Sequence, residues 1–165
     1  MQEISHQERI LPCLLDRLID EAPAEKTESR AQRVFSIRTY RESVRRDIAS
    51  LLNSHARLDA AEIERFPTAS SSVLNYGIRD LCGICASTLD MSDLERHIAS
   101  AIRLFEPRLI PHTVKVKSVV AEKDKGSPSV VGFEVRGDLW ARPIPEHWFC
   151  KTEIDLESGI AAVGT

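Results

Sequence analysis

The chain has 165 residues, 42% of them hydrophobic and 28% charged, with a formal net charge of -3. That length fits one domain with a substantial core, and the mild acidity excludes the basic footprint of a nucleic-acid or membrane-surface binder. No apolar run approaches the roughly 20 residues needed to span a bilayer. The opening residues Met1–His6 lack the basic-then-apolar layout of a signal peptide, so the cytoplasm is the expected compartment and the four cysteines are expected as thiols.

The first half reads as helices. Ser5 and Glu8 have capping-box spacing ahead of an apolar stripe at Leu11, Leu14, Leu15 and Leu18, with Ile19 beside it. Pro12 sits best at the first helical position. Residues 21–38 are polar without a clear period and are expected to link the first two helices flexibly inside a single domain spanning 1–165. Thr39 and Glu42 form a second capping box, followed by the helical face Val44, Ile48, Leu51 and Leu52. A short helix over Leu58–Phe66 would stop at Pro67, and the Ser-rich stretch after it leads into an Asn75-Tyr76-Gly77 turn. Ser92 and Glu95 form a third box before the stripe Leu94, Ile98, Ala101, Ile102 and Phe105.

The second half reads as strands. Val114, Val116 and Val120 share a parity over residues 113–121, and 123–128 is a turn cluster. Val131, Phe133 and Val135 alternate with Gly132, Glu134 and Arg136. A further strand over 148–157 has Phe149 and Ile154 as apolar members, and Glu157-Ser158-Gly159 turns into a last strand over 160–163. The expected class is α+β, with N-terminal helices packed on a C-terminal antiparallel sheet of about four strands.

The pattern offers several chemistries and favours none. Cys82-Gly83-Ile84-Cys85 has redox or zinc spacing, but no strand precedes it and no second ligand pair completes it, which leaves incidental thiols as the leading reading. Glu106 with Asp80 or Asp90 offers the paired carboxylates of a glycosidase, as any chain with 25 acids does. The arginines at 30, 33, 38, 41, 45 and 46 fit a solvated helix face or a surface for an acidic partner. Glu106-Pro107-Arg108 closes the last helix, because Pro107 lacks an amide hydrogen and pushes Glu106 out of the helical region. It fits either a helix stop with a weak surface ion pair or a stiff corner presenting charge to a partner. No phosphate loop, cofactor motif or metal set is present in the sequence.

An ordered series of motifs carries a resemblance. Leu14-Leu15-Asp16-Arg17-Leu18, Leu51-Leu52-Asn53-Ser54, Ser72-Val73-Leu74-Asn75-Tyr76-Gly77-Ile78 and Phe105-Glu106-Pro107-Arg108-Leu109 are followed by Phe133–Leu139 and Ile154–Gly159. Over about residues 11–163 this series resembles the TssE family, the small baseplate wedge subunit of type VI secretion systems. That family belongs to the contractile-phage wedge proteins once labelled lysozyme-like. Arg79 departs from the pattern, standing where the family usually has proline, and Ser54-His55 replaces a usual Thr-Arg.

The resemblance implies a non-enzymatic assembly subunit without cofactor or metal, at a cytoplasmic baseplate docked on the inner-membrane complex. Implied partners are the wedge subunits TssF, TssG and TssK, the sheath subunits TssB and TssC, and the spike or hub, with no nucleic acid and no membrane insertion. Glu106, Pro107 and Arg108 become the expected protein-binding corner. An open sheet edge within 113–121 or 148–163 is expected to template strand pairing, as in the sheath subunits. The alternatives are a peptidoglycan-cleaving enzyme, which the old label implies, and a regulatory binding module of the same fold family.

Overall fold

The computed structural model describes residues 10, 12–19, 36–85, 88–119, 129–141 and 144–164. The Ser5–Glu8 box, Leu11, Val120, the turn cluster 123–128 and residues 21–35 of the expected linker lie outside them. Helices α1 (Leu14–Leu18), α2 (Ile37–Leu52), α3 (Ala60–Arg65), α4 (Pro67–Ser70) and α5 (Met91–Phe105) precede strands β1 (Lys115–Val119), β2 (Val130–Leu139), β3 (Glu146–Asp155) and β4 (Ala161–Gly164). The strands form one antiparallel sheet in the order β1-β2-β3-β4, which is the α+β arrangement expected.

The core forms where the long helices meet the sheet. α5 packs on β1, α2 packs on β4, and the two helices touch each other. Val44, Ile48, Leu51 and Leu52 of α2 and Leu94, Ile98 and Ile102 of α5 are buried against Val116, Phe133, Val135, Trp148, Cys150 and Ile154. Register puts these sheet residues on one face, since Val116 pairs with Val135 and Val135 with Cys150. The other face carries charge. Phe149 lies on that outer face under the Arg136 guanidinium, 5.5 Å from its ring centroid, so it is not a core partner of Ile154.

Helix starts differ from the capping-box expectations because a better cap lies just upstream. Ser36 caps α2 by accepting from the Thr39 amide, so Ile37 and Arg38 belong to the helix rather than to a linker. Asp90 caps α5 by accepting from the Ser92 and Asp93 amides. That frees Glu95, whose carboxylate instead accepts from the backbone and hydroxyl of Ser118 on β1, both at 2.6 Å. Pro67 ends α3 and opens α4, as its fixed φ allows at a first helical position. Gly77 has φ +125°, and a Cβ there would stand 2.2 Å from the Ser54 carbonyl oxygen; the Asn-Tyr-Gly turn needs glycine for both reasons.

α1 turns the opposite way from its apolar stripe. Leu14, Leu15 and Leu18 are exposed, whereas the Asp16 side chain keeps 4% exposure. Burial of a carboxylate over leucines requires cations waiting inside, and two arginines supply them.

Candidate docking site

α5 ends at Phe105, where the Glu106 amide makes the last helical bond to the Ile102 carbonyl. Pro107 reverses the chain. The segment then joins the sheet: Leu109 bridges Leu139, the Ile110 amide donates to the Asp138 carbonyl, and the Trp140 amide donates to the Arg108 carbonyl. The corner is therefore pinned by the helix on one side and by the end of β2 on the other.

Its charges face inward. The Glu106 side chain is 4% exposed and that of Arg108 is 14% exposed. Arg108 donates Nε to Glu106 Oε1 at 2.8 Å and Nη2 to Glu106 Oε2 at 2.7 Å, while its amide donates to Oε1 at 3.0 Å. Nη2 also meets Asp47 of α2, and Nη1 donates to the buried Ser43 hydroxyl at 3.1 Å. Asp16 of α1 lies 3.8 Å from Nη1 and is bonded by Arg46 Nη2 at 2.8 Å. Arg46 Nε in turn donates to Asp47 at 2.8 Å. Three carboxylates and two guanidiniums thus tie α1, α2 and the end of α5 together.

Two titrations reflect that arrangement. Burial works against the charge of Arg108, but its bonds to Glu106 and Asp47 outweigh burial and hold the guanidinium still more firmly protonated than usual. Burial also works against the Asp16 carboxylate, and the bonds from Cys13 and Arg46 outweigh it, so its pKa lies below the ordinary value. Cys13 contributes as the cap of α1, its amide donating to Asp16 at 3.0 Å.

Beside this network lies an open cleft of about 460 Å³ whose apolar wall is Leu15, Leu51, Tyr76, Phe105 and Pro107. Tyr76 and Phe105 meet edge to face at 5.2 Å. Asp47, Glu106, Arg46 and Arg108 form its polar floor. A rigid corner, an apolar wall and charged groups at its base can hold a partner side chain, and both Glu106 oxygens are engaged as acceptors from Arg108. The corner is legible from Pro107, but nothing in the sequence groups Asp16, Ser43, Arg46 and Asp47 with it: Arg46 stands there as one of a basic run and Asp16 as one residue of a leucine-rich motif.

The other candidates are dispersed. Asp80 accepts from the Cys82 amide and Asp90 caps α5, so neither joins Glu106. Cys82 and Cys85 are both exposed on a turn around Gly83, with the Cys82 thiol donating to the Glu157 carbonyl. Among the described residues no group of three or more His, Cys, Asp or Glu stands close enough to hold a metal ion. The basic region 30–46 divides within its described part: Arg38 pairs with Glu42 in solvent, Arg41 reaches Glu146 and the His147 carbonyl, and Arg46 joins the network. Arg45 keeps a buried Nε without a partner among the described residues.

The sheet edges named by the sequence are partly occupied by helix side chains. Glu95 takes the Ser118 amide on β1, and Arg103 donates to the Val114 carbonyl just ahead of it. On β4, the Asn53 side-chain amide donates to the Ala161 carbonyl at 2.9 Å and accepts from the Ala161 amide at 3.0 Å.

The family model described as baseplate wedge protein gp25 matches residues 38–144, well over half of the chain. The match takes in α2, α5, the Glu106-Pro107-Arg108 corner, β1 and β2. No curated protein and no solved structure matches the chain. Among the described residues no helix is long and apolar enough to cross a membrane.

Proposed function

The chain belongs to the baseplate wedge protein gp25 family, and from that premise we propose that it is a non-enzymatic TssE-type wedge subunit of a type VI secretion baseplate. In this reading it docks TssF, TssG and TssK through the Glu106-Pro107-Arg108 corner and helps TssB and TssC begin the sheath at the cytoplasmic side of the inner-membrane complex. Spike or hub components complete its surroundings.

The observation that carries the reading is the locked corner, inside the segment that matches the family, beside an open apolar cleft to which Leu15 of α1 is added from outside that segment. A surface ion pair contributes only about 0–1 kcal/mol and needs no such housing. Here the pair is buried, pinned by helix and sheet, and it fixes the cleft wall in place. That is how a docking surface avoids the ordering cost of binding. Strand pairing with the sheath would use what the plugs leave open, such as the edge of β4 beyond Ala161.

Co-expression with the candidate wedge subunits followed by pull-down tests the role. Leu15 lines the cleft and is half-exposed, so Leu15→Asn spares the core. The expected result is a folded variant that no longer co-purifies with the wedge. Full recovery of the complex with Leu15→Asn would remove this cleft as the docking site. Peptidoglycan turnover abolished by Glu106→Gln in a folded protein would replace the assembly reading with the hydrolase.

A further inference from the structure

We propose that the cleft receives a lysine or arginine side chain of the partner, not a carboxylate. This rests on the docking role proposed above and gives the partner segment its chemistry: a basic residue flanked by apolar ones.

The donors of Arg108 are already committed. Nε and Nη2 bond Glu106, Nη2 also meets Asp47, and Nη1 donates to Ser43. A partner carboxylate would have to displace buried groups that sit two residues away or on the adjoining helix. Arg46 is more open, yet its Nε and Nη2 are held by Asp47 and Asp16, so an incoming anion would approach it alongside two carboxylates. The charge count points the other way. Among the described residues Asp16, Asp47 and Glu106 pair with Arg46 and Arg108 alone, which leaves one negative charge in surplus there. Arg17 and Arg45 make no ion pair with the cluster among the described residues.

The surplus charge is reachable. Asp47 is the most open of the three carboxylates, at 23% exposure, and lines the cleft beside Tyr76 and Phe105. A lysine or arginine lays its methylene stem along such apolar rings while its head stays on the carboxylate. The cleft supplies the matching apolar surface through the half-exposed Leu15 of α1 and through Tyr76, Phe105 and Pro107. One surplus negative charge at a partly dry site discriminates a cation from an anion by about an order of magnitude in affinity.

The test uses two synthetic peptides, one arginine flanked by leucines and its twin with glutamate, titrated into the whole chain to millimolar concentration. The readout is the nuclear magnetic resonance shift of the Tyr76 and Phe105 ring signals. The arginine peptide is expected to bind about tenfold more tightly than its twin. Asp47→Asn and Asp16→Asn each cancel the surplus and are expected to bring the ratio near one; two sites are used so that a fold defect in either variant leaves the other to decide. A merely structural carboxylate would lower stability without changing that ratio. Equal or tighter binding of the glutamate peptide, or no shift of either ring with both peptides, overturns the proposal. If Leu15→Asn abolishes wedge co-purification while the peptides show no preference, the docking role stands and this inference falls. If the peptides discriminate while Leu15→Asn assembles normally, the cation preference stands and the docking role falls.

Discussion

Arg108 folds back over Pro107 onto Glu106 with three hydrogen bonds between 2.7 and 3.0 Å. The pair is local in sequence, yet it is roofed by α1 and α2 through Asp16, Ser43 and Asp47. Breaking a buried pair strands the surviving charge, which costs far more than the pair's net contribution.

Arg108→Ala leaves Glu106, Asp47 and Asp16, among the described residues, with Arg46 as their one remaining cation. Urea unfolding is expected to show a loss of about 3–5 kcal/mol. Arg108→Lys keeps the charge and loses the fork, and falls in between. A loss below about 1 kcal/mol for the alanine variant would mean that the pair behaves as a surface pair. Any assembly assay on Arg108 variants therefore needs a folding control, which is why the exposed Leu15 is the cleaner docking probe.

The fold was legible where a periodic apolar face meets an ordinary core. Val44, Ile48, Leu51 and Leu52 and then Leu94, Ile98 and Ile102 are buried in the pattern their spacing demands. Strand β3 shows the limit: Phe149 and Ile154 differ in parity, and only the neighbouring Trp148 and Cys150 complete the inner face. α1 failed for a deeper reason. Leucines three and four apart predict a buried stripe, but the demand of Arg46 and Arg108 for a carboxylate turns Asp16 inward and the leucines out. That demand comes from residues 30 and more positions away, and no local pattern carries it. Likewise Thr39 and Ser92 had acceptable capping spacing, and nothing local ranked Ser36 and Asp90 above them.

The Asn53 amide clasps both main-chain groups of Ala161 and also bonds the Ala49 carbonyl at the end of α2. Asn53→Ala removes the clasp and exposes an unpaired strand edge. A stability loss of about 1–2 kcal/mol is expected, with faster amide exchange at Ala161 and increased light scattering at high concentration. Unchanged exchange at Ala161 would show that the edge is protected by something else.

Thiol reactivity is expected to separate the four cysteines by exposure. Cys82 and Cys85 are exposed, Cys13 is half-buried, and burial pushes the Cys150 thiol up to about 11. Iodoacetamide at neutral pH should label Cys82 and Cys85 first and spare Cys150 until the chain unfolds. The raised pKa also favours the folded state below the ordinary thiol pKa of 9.0, a contribution lost as pH climbs from there toward 11. Labelling of Cys150 in the native protein at the rate of Cys82 would contradict its burial between α2 and the sheet.

Acid should act through Asp16 and Glu95, whose pKa values are both lowered in the fold. For Asp16, burial raises the pKa, but bonds from Cys13 and Arg46 more than reverse that; for Glu95, the two bonds from Ser118 lower it directly. A depressed folded-state pKa means that the unfolded chain binds protons first. The stabilisation is therefore complete at neutral pH, begins to fade as pH falls through the unfolded values of 3.8 and 4.5, and is gone once the pH lies below the folded ones. Urea midpoints measured from neutral pH down to about pH 2 should fall across that window. Asp16→Asn and Glu95→Gln should each start lower at neutral pH and decline less steeply. Glu95→Gln has a second signature, because its loss weakens the hold of α5 on β1: the Ser118 amide should exchange faster, while the Arg108 network stays intact. A steep acid decline that survives in both variants would assign the dependence to other carboxylates and remove α1 and the β1 edge as the acid-sensitive joints of the fold.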